Sequence, residues 1–302
     1  MRFSGRHNSP LPYRQSVVRA VRSLIASDRT DNGFWTPTTT GQAHQRIEVR
    51  GEHALNRLGQ SVLVGSRHNC SSQRSLCPQY ERRIRVTLGA AVFFIPHQDD
   101  ETLTMAADIR AHSVAGRQVV IVLVTDGSAS RARIAMCTNK GVCLTVPEFV
   151  TARNAEQFAA IQHLAPGAQI FYENYQDGAL TEAQATTAIS KYVSLFPNGS
   201  YKTMSWLDEH PDHIALGQAL RTMDKAGLIP NGDSRFEQFR AYWDSMPMTG
   251  LFVDADATVA EAYDEYYYWN PPIGRYAIGS QSVPGFFDAA RSDSRSKYHR
   301  ST

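Results

Sequence analysis

From Val86 onward the chain alternates apolar runs with amphipathic stretches. VTLGAAVFFIP (86–96) is an unbroken apolar run, as in a strand buried on both faces. ETLTMAADIRAHSVAG (101–116) has helical spacing and stops at Gly116. QVVIVLVTDG (118–127) reads as a second buried strand running into a turn. PEFVTARNAEQFAAIQHLAPG is an amphipathic helix entered through Pro147 and closed by Pro166-Gly167. AQIFYE predicts a third strand, and TEAQATTAISKYVSLF a helix with Thr181 as N-cap. YKTMSWL predicts a fourth strand, HPDHIALGQALRTMDKAG a helix entered through Pro211, and RFEQFRAYW a fifth strand. Strand and helix alternate with short connections, so the expected fold is α/β: a Rossmann-like, mostly parallel sheet with helices on both faces.

Two regions break this rhythm. Residues 1–85 are polar, with apolar residues scattered apart from weak helical runs at SVVRAVRSLIA and EHALNRLGQSVLVG. They are expected to be a disordered or loosely attached extension before a domain spanning 86–302. From about Ala289 the chain is rich in Ser and Arg and is expected to fray. RARIAMCTNKGVCLTVP (131–147) is a long connection expected to overhang the site edge. EAYDEYYYWNPPIGRY (261–276) is dense in aromatics, either packing the C-terminal segment onto the domain or walling a ligand site.

The 302 residues suffice for one large core. A net charge of +2 gives no reason to expect a nucleic-acid partner. Cys70, Cys77, Cys137 and Cys143 have no CxxC spacing, which argues against a four-thiolate zinc site. Cys137 and Cys143 either close a short loop in an oxidising compartment or stay as two thiols. The start lacks the apolar core of a signal peptide, and no stretch approaches the roughly 18 apolar residues of a membrane span, so the expectation is a soluble, cytoplasmic protein.

The chemistry concentrates in two stretches. PHQDDE (96–101) follows the first strand, and EHPDHIALG (209–217) follows the fourth and opens a helix. Sites in such sheets form at the carboxyl ends of strands, so both motifs are expected on one edge. Adjacent buried carboxylates repel unless a cation offsets them. Imidazole and carboxylate ligands suit zinc, and a catalytic zinc keeps three protein ligands. His97 and Asp100 form a pair, and one histidine of the second motif is needed to complete the set. Asp100 or Asp212 could instead simply cap a helix. No GxGxxG follows the first strand, so a nucleotide-binding reading ranks low.

PHQDDE resembles the PHPDDE/AHPDDE motif of the LmbE-like, or PIG-L, family of zinc-dependent N-acetylglucosamine deacetylases, and HPDH matches its second motif. VTDG, ARNAEQFAAIQHLAPG and YAIGSQ are similar to further family stretches, so the resemblance runs from about residue 86 to about 290. It implies one zinc ion held by His97, Asp100 and His213. It implies Asp99 as the general base, His210 as the group that stabilises the oxyanion or protonates the leaving amine, and Asp212 as a carboxylate orienting a histidine. Arg153 and Asp177 would touch the sugar, although Arg153 could equally pair with Glu156 one turn on. Gln98 departs from the common proline of the motif and reads as a subgroup marker. The implied partner is an amino sugar or its glycoconjugate, including a natural-product glycopeptide. An amidase acting on an amino-sugar thiol conjugate and a non-catalytic metal-containing binding protein are the alternatives.

Overall fold

The computed structural model describes residues 89–301 except Met246 and Met248. The expected extension over 1–85, its two helical runs and the domain boundary lie outside the described residues. In chain order the elements are β1 (Ala91–Ile95), α1 (Asp100–Thr104), α2 (Ala106–Val114), β2 (Val119–Thr125), α3 (Ala132–Lys140), α4 (Val146–Leu164), β3 (Gln169–Tyr175), α5 (Glu182–Leu195), β4 (Ser200–Met204) and α6 (Pro211–Lys225). They continue with β5 (Ser234–Glu237), β6 (Leu251–Val253), α7 (Ala257–Glu265), β7 (Trp269–Asn270), β8 (Arg275–Tyr276), α8 (Ile278–Ser282), α9 (Pro284–Ser292) and β9 (Ser296–His299).

The main sheet has seven strands in the order β3-β2-β1-β4-β5-β9-β6. The first five are parallel, and β9 runs antiparallel to both β5 and β6. This is the expected mostly parallel α/β sheet. Alternate residues of β1 feed opposite faces: Ala91, Phe93 and Ile95 join the core under α2, α4, α7 and α9, while Val92 and Phe94 join the core under α5 and α6. The strand order reverses between β1 and β4. At such a switch point the two following loops diverge and leave a crevice. These are the loops that carry PHQDDE and EHPDH.

Local chemistry sets the helix ends. Thr145 and Glu148 form a capping box at α4, as do Thr181 and Gln184 at α5. At Gly217 of α6 a Cβ would lie 2.4 Å from the Trp206 backbone nitrogen, so only glycine lets α6 sit this close to the end of β4.

Four expectations are corrected. The helix expected over 101–116 is two helices, broken at Met105 (φ −110°, ψ 0°). Thr104 Oγ1 donates to the Asp100 carbonyl at 2.8 Å, a back-bond of the kind that bends helices. The 131–147 connection contains α3, capped by Gly141 at φ +68°; of the two states left open for Cys137 and Cys143, the disulfide is the one present. The fifth strand ends at Glu237, and Arg240–Tyr242 forms a 3₁₀ turn. The C-terminal stretch does not fray: α9 packs Phe287 into the core, and β9 is buried, paired on one side through Phe236 and His299 and on the other through Leu251 and Tyr298. Pairing on both edges outweighs its polar composition. Among the described residues no helix is long and apolar enough to cross a membrane.

Candidate active site

The β1–α1 loop brings His97, Asp99 and Asp100 to the crevice, and the β4–α6 loop brings Asp208, Glu209, His210 and His213. Arg153 from α4 and Asp177 from the β3–α5 loop complete a cleft of about 530 Å³. That volume is within the range of small-molecule sites. One wall is apolar, formed by Leu103, Phe239, Tyr242, Val283 and Phe286. Phe239 packs on Phe286 with ring centroids 4.7 Å apart and lies nearly parallel to His213 at 5.6 Å.

Three atoms at the cleft floor form a near-equilateral triangle. His97 Nδ1 lies 3.1 Å from Asp100 Oδ2 and 3.1 Å from His213 Nε2, and the third edge, His213 Nε2 to Asp100 Oδ2, is 3.3 Å. A tetrahedral zinc with bonds of about 2.0–2.1 Å needs ligand atoms about 3.4 Å apart. The donor set, two imidazole nitrogens and one carboxylate oxygen, is also one that zinc takes. The residues therefore fit the ion. The surroundings point the same way: burial opposes protonation of His213, but Asp100 and Asp208 outweigh it and push its pKa up to about 9. His97 is likewise held well above its usual value against burial by Asp100, Asp177 and Asp212. A cluster that draws protons onto two histidines is one that attracts positive charge.

Two wider groups of potential ligands also occur, His97 with His210 and His213, and His97 with Asp177 and Asp212. The second is already committed elsewhere. Both oxygens of Asp212 accept backbone N–H groups, from Gly178 at 2.7 Å and Leu180 at 3.0 Å, and Asp177 Oδ2 accepts from Ala129 at 2.8 Å. Both carboxylates lie 3.2 Å from His97 Nε2, on the ring edge opposite the triangle. They orient that imidazole as carboxylates behind metal-site histidines do. Asp208 Oδ1 stands in the same relation to His213, 3.2 Å from Nδ1.

His210 caps α6: its Nδ1 accepts the Asp212 N–H at 3.3 Å. The acceptor nitrogen carries no hydrogen, so the proton of the neutral ring is on Nε2. Burial and the neighbouring His97 and His213 hold its pKa below the usual histidine value. The imidazole is thus a neutral N–H donor.

Asp99 is 5 % exposed, and Arg153 Nη2 lies 3.3 and 3.4 Å from its two oxygens. Burial raises the Asp99 pKa, against which Arg153 acts. Arg153 does not pair with Glu156. That carboxylate instead accepts the N–H groups of Ile278 at 2.8 Å and Gly279 at 3.0 Å, holding the start of α8 where Ala277 adopts a left-handed φ of +51°. Glu101 is fully buried within 2.5 Å of the Tyr266 hydroxyl, and burial pushes its pKa up to about 8.

Of the aromatic segment 261–276, Tyr263 and Tyr266 are core residues, whereas Tyr267, Tyr268 and Trp269 are 40–45 % exposed and do not line the cleft. The rings that do wall it, Phe239, Tyr242 and Phe286, come from segments with no motif. Asp208 was equally silent in the sequence, whereas Tyr266 lies in the aromatic stretch that the sequence singled out. For Asp208 the position two residues before His210 was the available signal.

Residues 92–223 match the model of the family described as PIG-L: GlcNAc-PI de-N-acetylase. No curated protein matches the chain. Among solved structures, the chain is similar to a deacetylase–bog complex from the biosynthesis pathway of teicoplanin (17 % identity, 67 % of this chain and 90 % of that one covered, TM-score 0.51). It is also similar to the zinc-inhibited form of a teicoplanin deacetylase (16 %, 69 % and 96 %, TM-score 0.51). A third is a conserved protein of Thermus thermophilus (15 %, 70 % and 94 %, TM-score 0.50). At these identities the likeness establishes the fold alone, the mostly parallel α/β fold of LmbE-like deacetylases.

Proposed function

We propose that this protein is a zinc-dependent hydrolase that removes the N-acetyl group from an N-acetylglucosamine-type glycoconjugate. The observation that carries the reading is the triangle of His97 Nδ1, Asp100 Oδ2 and His213 Nε2, set in an open cleft beside Asp99. The match to the de-N-acetylase family and the likeness in fold to proteins described as deacetylases support it.

A zinc ion held by His97, Asp100 and His213 would lower the pKa of water to about 7 and polarise the amide carbonyl. Asp99 takes the proton of the attacking water. Arg153 keeps that carboxylate oriented and lowers its pKa against burial. As the carbonyl oxygen becomes anionic, His210 donates its Nε2–H to it; one such donor contributes about 100- to 1,000-fold in rate. Asp99 then returns the proton to the departing nitrogen, the C–N bond breaks, and acetate and the free amine leave. Asp177 and Asp212 fix His97, and Asp208 fixes His213. Phe239, Tyr242 and Phe286 offer an apolar face to a sugar ring or its aglycone. That two proteins of this fold are described as teicoplanin deacetylases, one of them of its biosynthesis pathway, supports a glycopeptide as one substrate.

The test is acetate release from a panel of N-acetylglucosamine conjugates by the zinc-loaded protein and its Asp99→Asn variant. Turnover by wild type and a loss of about 100- to 10,000-fold in the variant, with zinc retained, is expected. Undiminished turnover in the variant would remove Asp99 from its role.

A further inference from the structure

Gln98 lies between the ligand His97 and the base Asp99, where the resembled motif carries proline. Its side chain is 1 % exposed and faces the protein interior. The amide Nε2 donates to the Asp126 carbonyl at 2.9 Å and to Asn154 Oδ1 at 2.9 Å. One side chain thus fastens the β1–α1 loop to the turn after β2 and to α4. The same two segments hold Arg153: Asn154 is its neighbour on α4, and Arg153 Nη1 donates to the Gly127 carbonyl, next to Asp126, at 2.7 Å.

The packing there is close. Gly127 has a φ of +67°, and a Cβ on it would fall 1.9 Å from Gln98 Oε1 and 2.7 Å from Arg153 Nη1. Gln98 Oε1 and Arg153 Nη1 therefore flank the same glycine from the same side. The far end of that guanidinium is the edge that meets Asp99. The Gln98 main chain contributes only its carbonyl, which accepts from the Tyr266 hydroxyl. No hydrogen bond of the Gln98 N–H occurs among the described residues, so proline in its place deletes the clamp and spares the backbone contact.

We propose that Gln98 is a positioning residue that seats the Arg153 guanidinium against Asp99, a task that the proline of the resembled motif leaves to other contacts. The catalytic consequence rests on the deacetylase reading above; the clamp itself does not.

The test uses the zinc-loaded protein and its Gln98→Ala and Gln98→Pro variants. Nitrogen NMR of the Arg153 side chain reports rotation of the guanidinium. Slow rotation in wild type and fast rotation in both variants is expected, with zinc content unchanged. On the best N-acetylglucosamine conjugate, kcat is expected to fall about 10- to 100-fold, with KM unchanged. Adding Gln98→Ala to Arg153→Ala is expected to cost nothing further, because the two act as one unit. Arg153 rotation that is the same in all three proteins overturns the proposal, as do kcat losses that add in the double variant. If wild type releases no acetate, the deacetylase reading fails by itself, and the Arg153 rotation still decides whether Gln98 is a clamp.

Discussion

Two clusters of buried charge occur in the domain, one in the loops beyond β1 and β4 and one beneath β4 and β5, and they resolve their electrostatics in different ways. At the cleft, Asp99, Asp100, Asp177, Asp208 and Asp212 are set, among the described residues, against one buried permanent cation, Arg153, with Arg131 at the exposed rim. Beneath β4 and β5, Asp108, Asp233 and Glu237 meet Lys202, Arg117 and Arg235. There Arg235 Nη1 donates to Asp108 Oδ1 at 2.6 Å, and Arg117 Nη2 to Ser200 Oγ at 2.8 Å. Burial, with Asp108 next, keeps Glu237 protonated well above its usual range. The second cluster neutralises itself with its own lysine and arginines. The first presents histidines instead, and histidine nitrogens can hand their place to a metal. Buried charge alone therefore does not mark a site. A deficit of positive charge, opening onto a cleft and lined with converging ligand atoms, does.

The comparison breaks first at His213. His213→Ala removes one corner of the triangle, and turnover is expected to fall by about 1,000-fold or more in the acetate assay. Retention of most of the rate would mean that the triangle is not the working centre.

The smaller effect belongs to the other cluster. Lys202 faces Asp108 and His112 of α2, Arg117, Asp233, and Arg235 and Glu237 of β5. Burial pushes its pKa down to about 7, whereas an unfolded lysine titrates at about 10.4. Between these values the unfolded chain binds more protons than the folded one, so this group makes stability rise with pH from about 7 to about 10. Lys202→Met is expected to flatten that rise, a difference of roughly 6–10 °C in Tm between pH 7 and pH 9.5, while leaving deacetylation unchanged. A parallel Tm–pH curve in the variant would show that Lys202 is charged throughout.

The cleft was more legible in the sequence than its surroundings. His97, Asp99 and Asp100 are close along the chain, as are His210 and His213, so each half of the cluster is a local pattern. Alternation of strand and helix was enough to expect the halves on one sheet edge. What escaped reading depends on pairing across long separations. Tyr266 reaches Glu101 over 165 residues, and Gln98 reaches Asn154 over 56. The β9 strand, polar in composition, is ordered by neighbours on both sides rather than by its own pattern. The break at Met105 turns on a side-chain bond from Thr104 that helical periodicity does not register.

The most direct measurement is zinc titration, by calorimetry, into metal-free wild type, Lys202→Met and Asp100→Ala. One tightly bound zinc per chain in wild type and in Lys202→Met, and none in Asp100→Ala, is the expected result. Zinc binding that survives Asp100→Ala, or fails with Lys202→Met, would contradict the assignment of the missing positive charge to the His97–Asp100–His213 triangle.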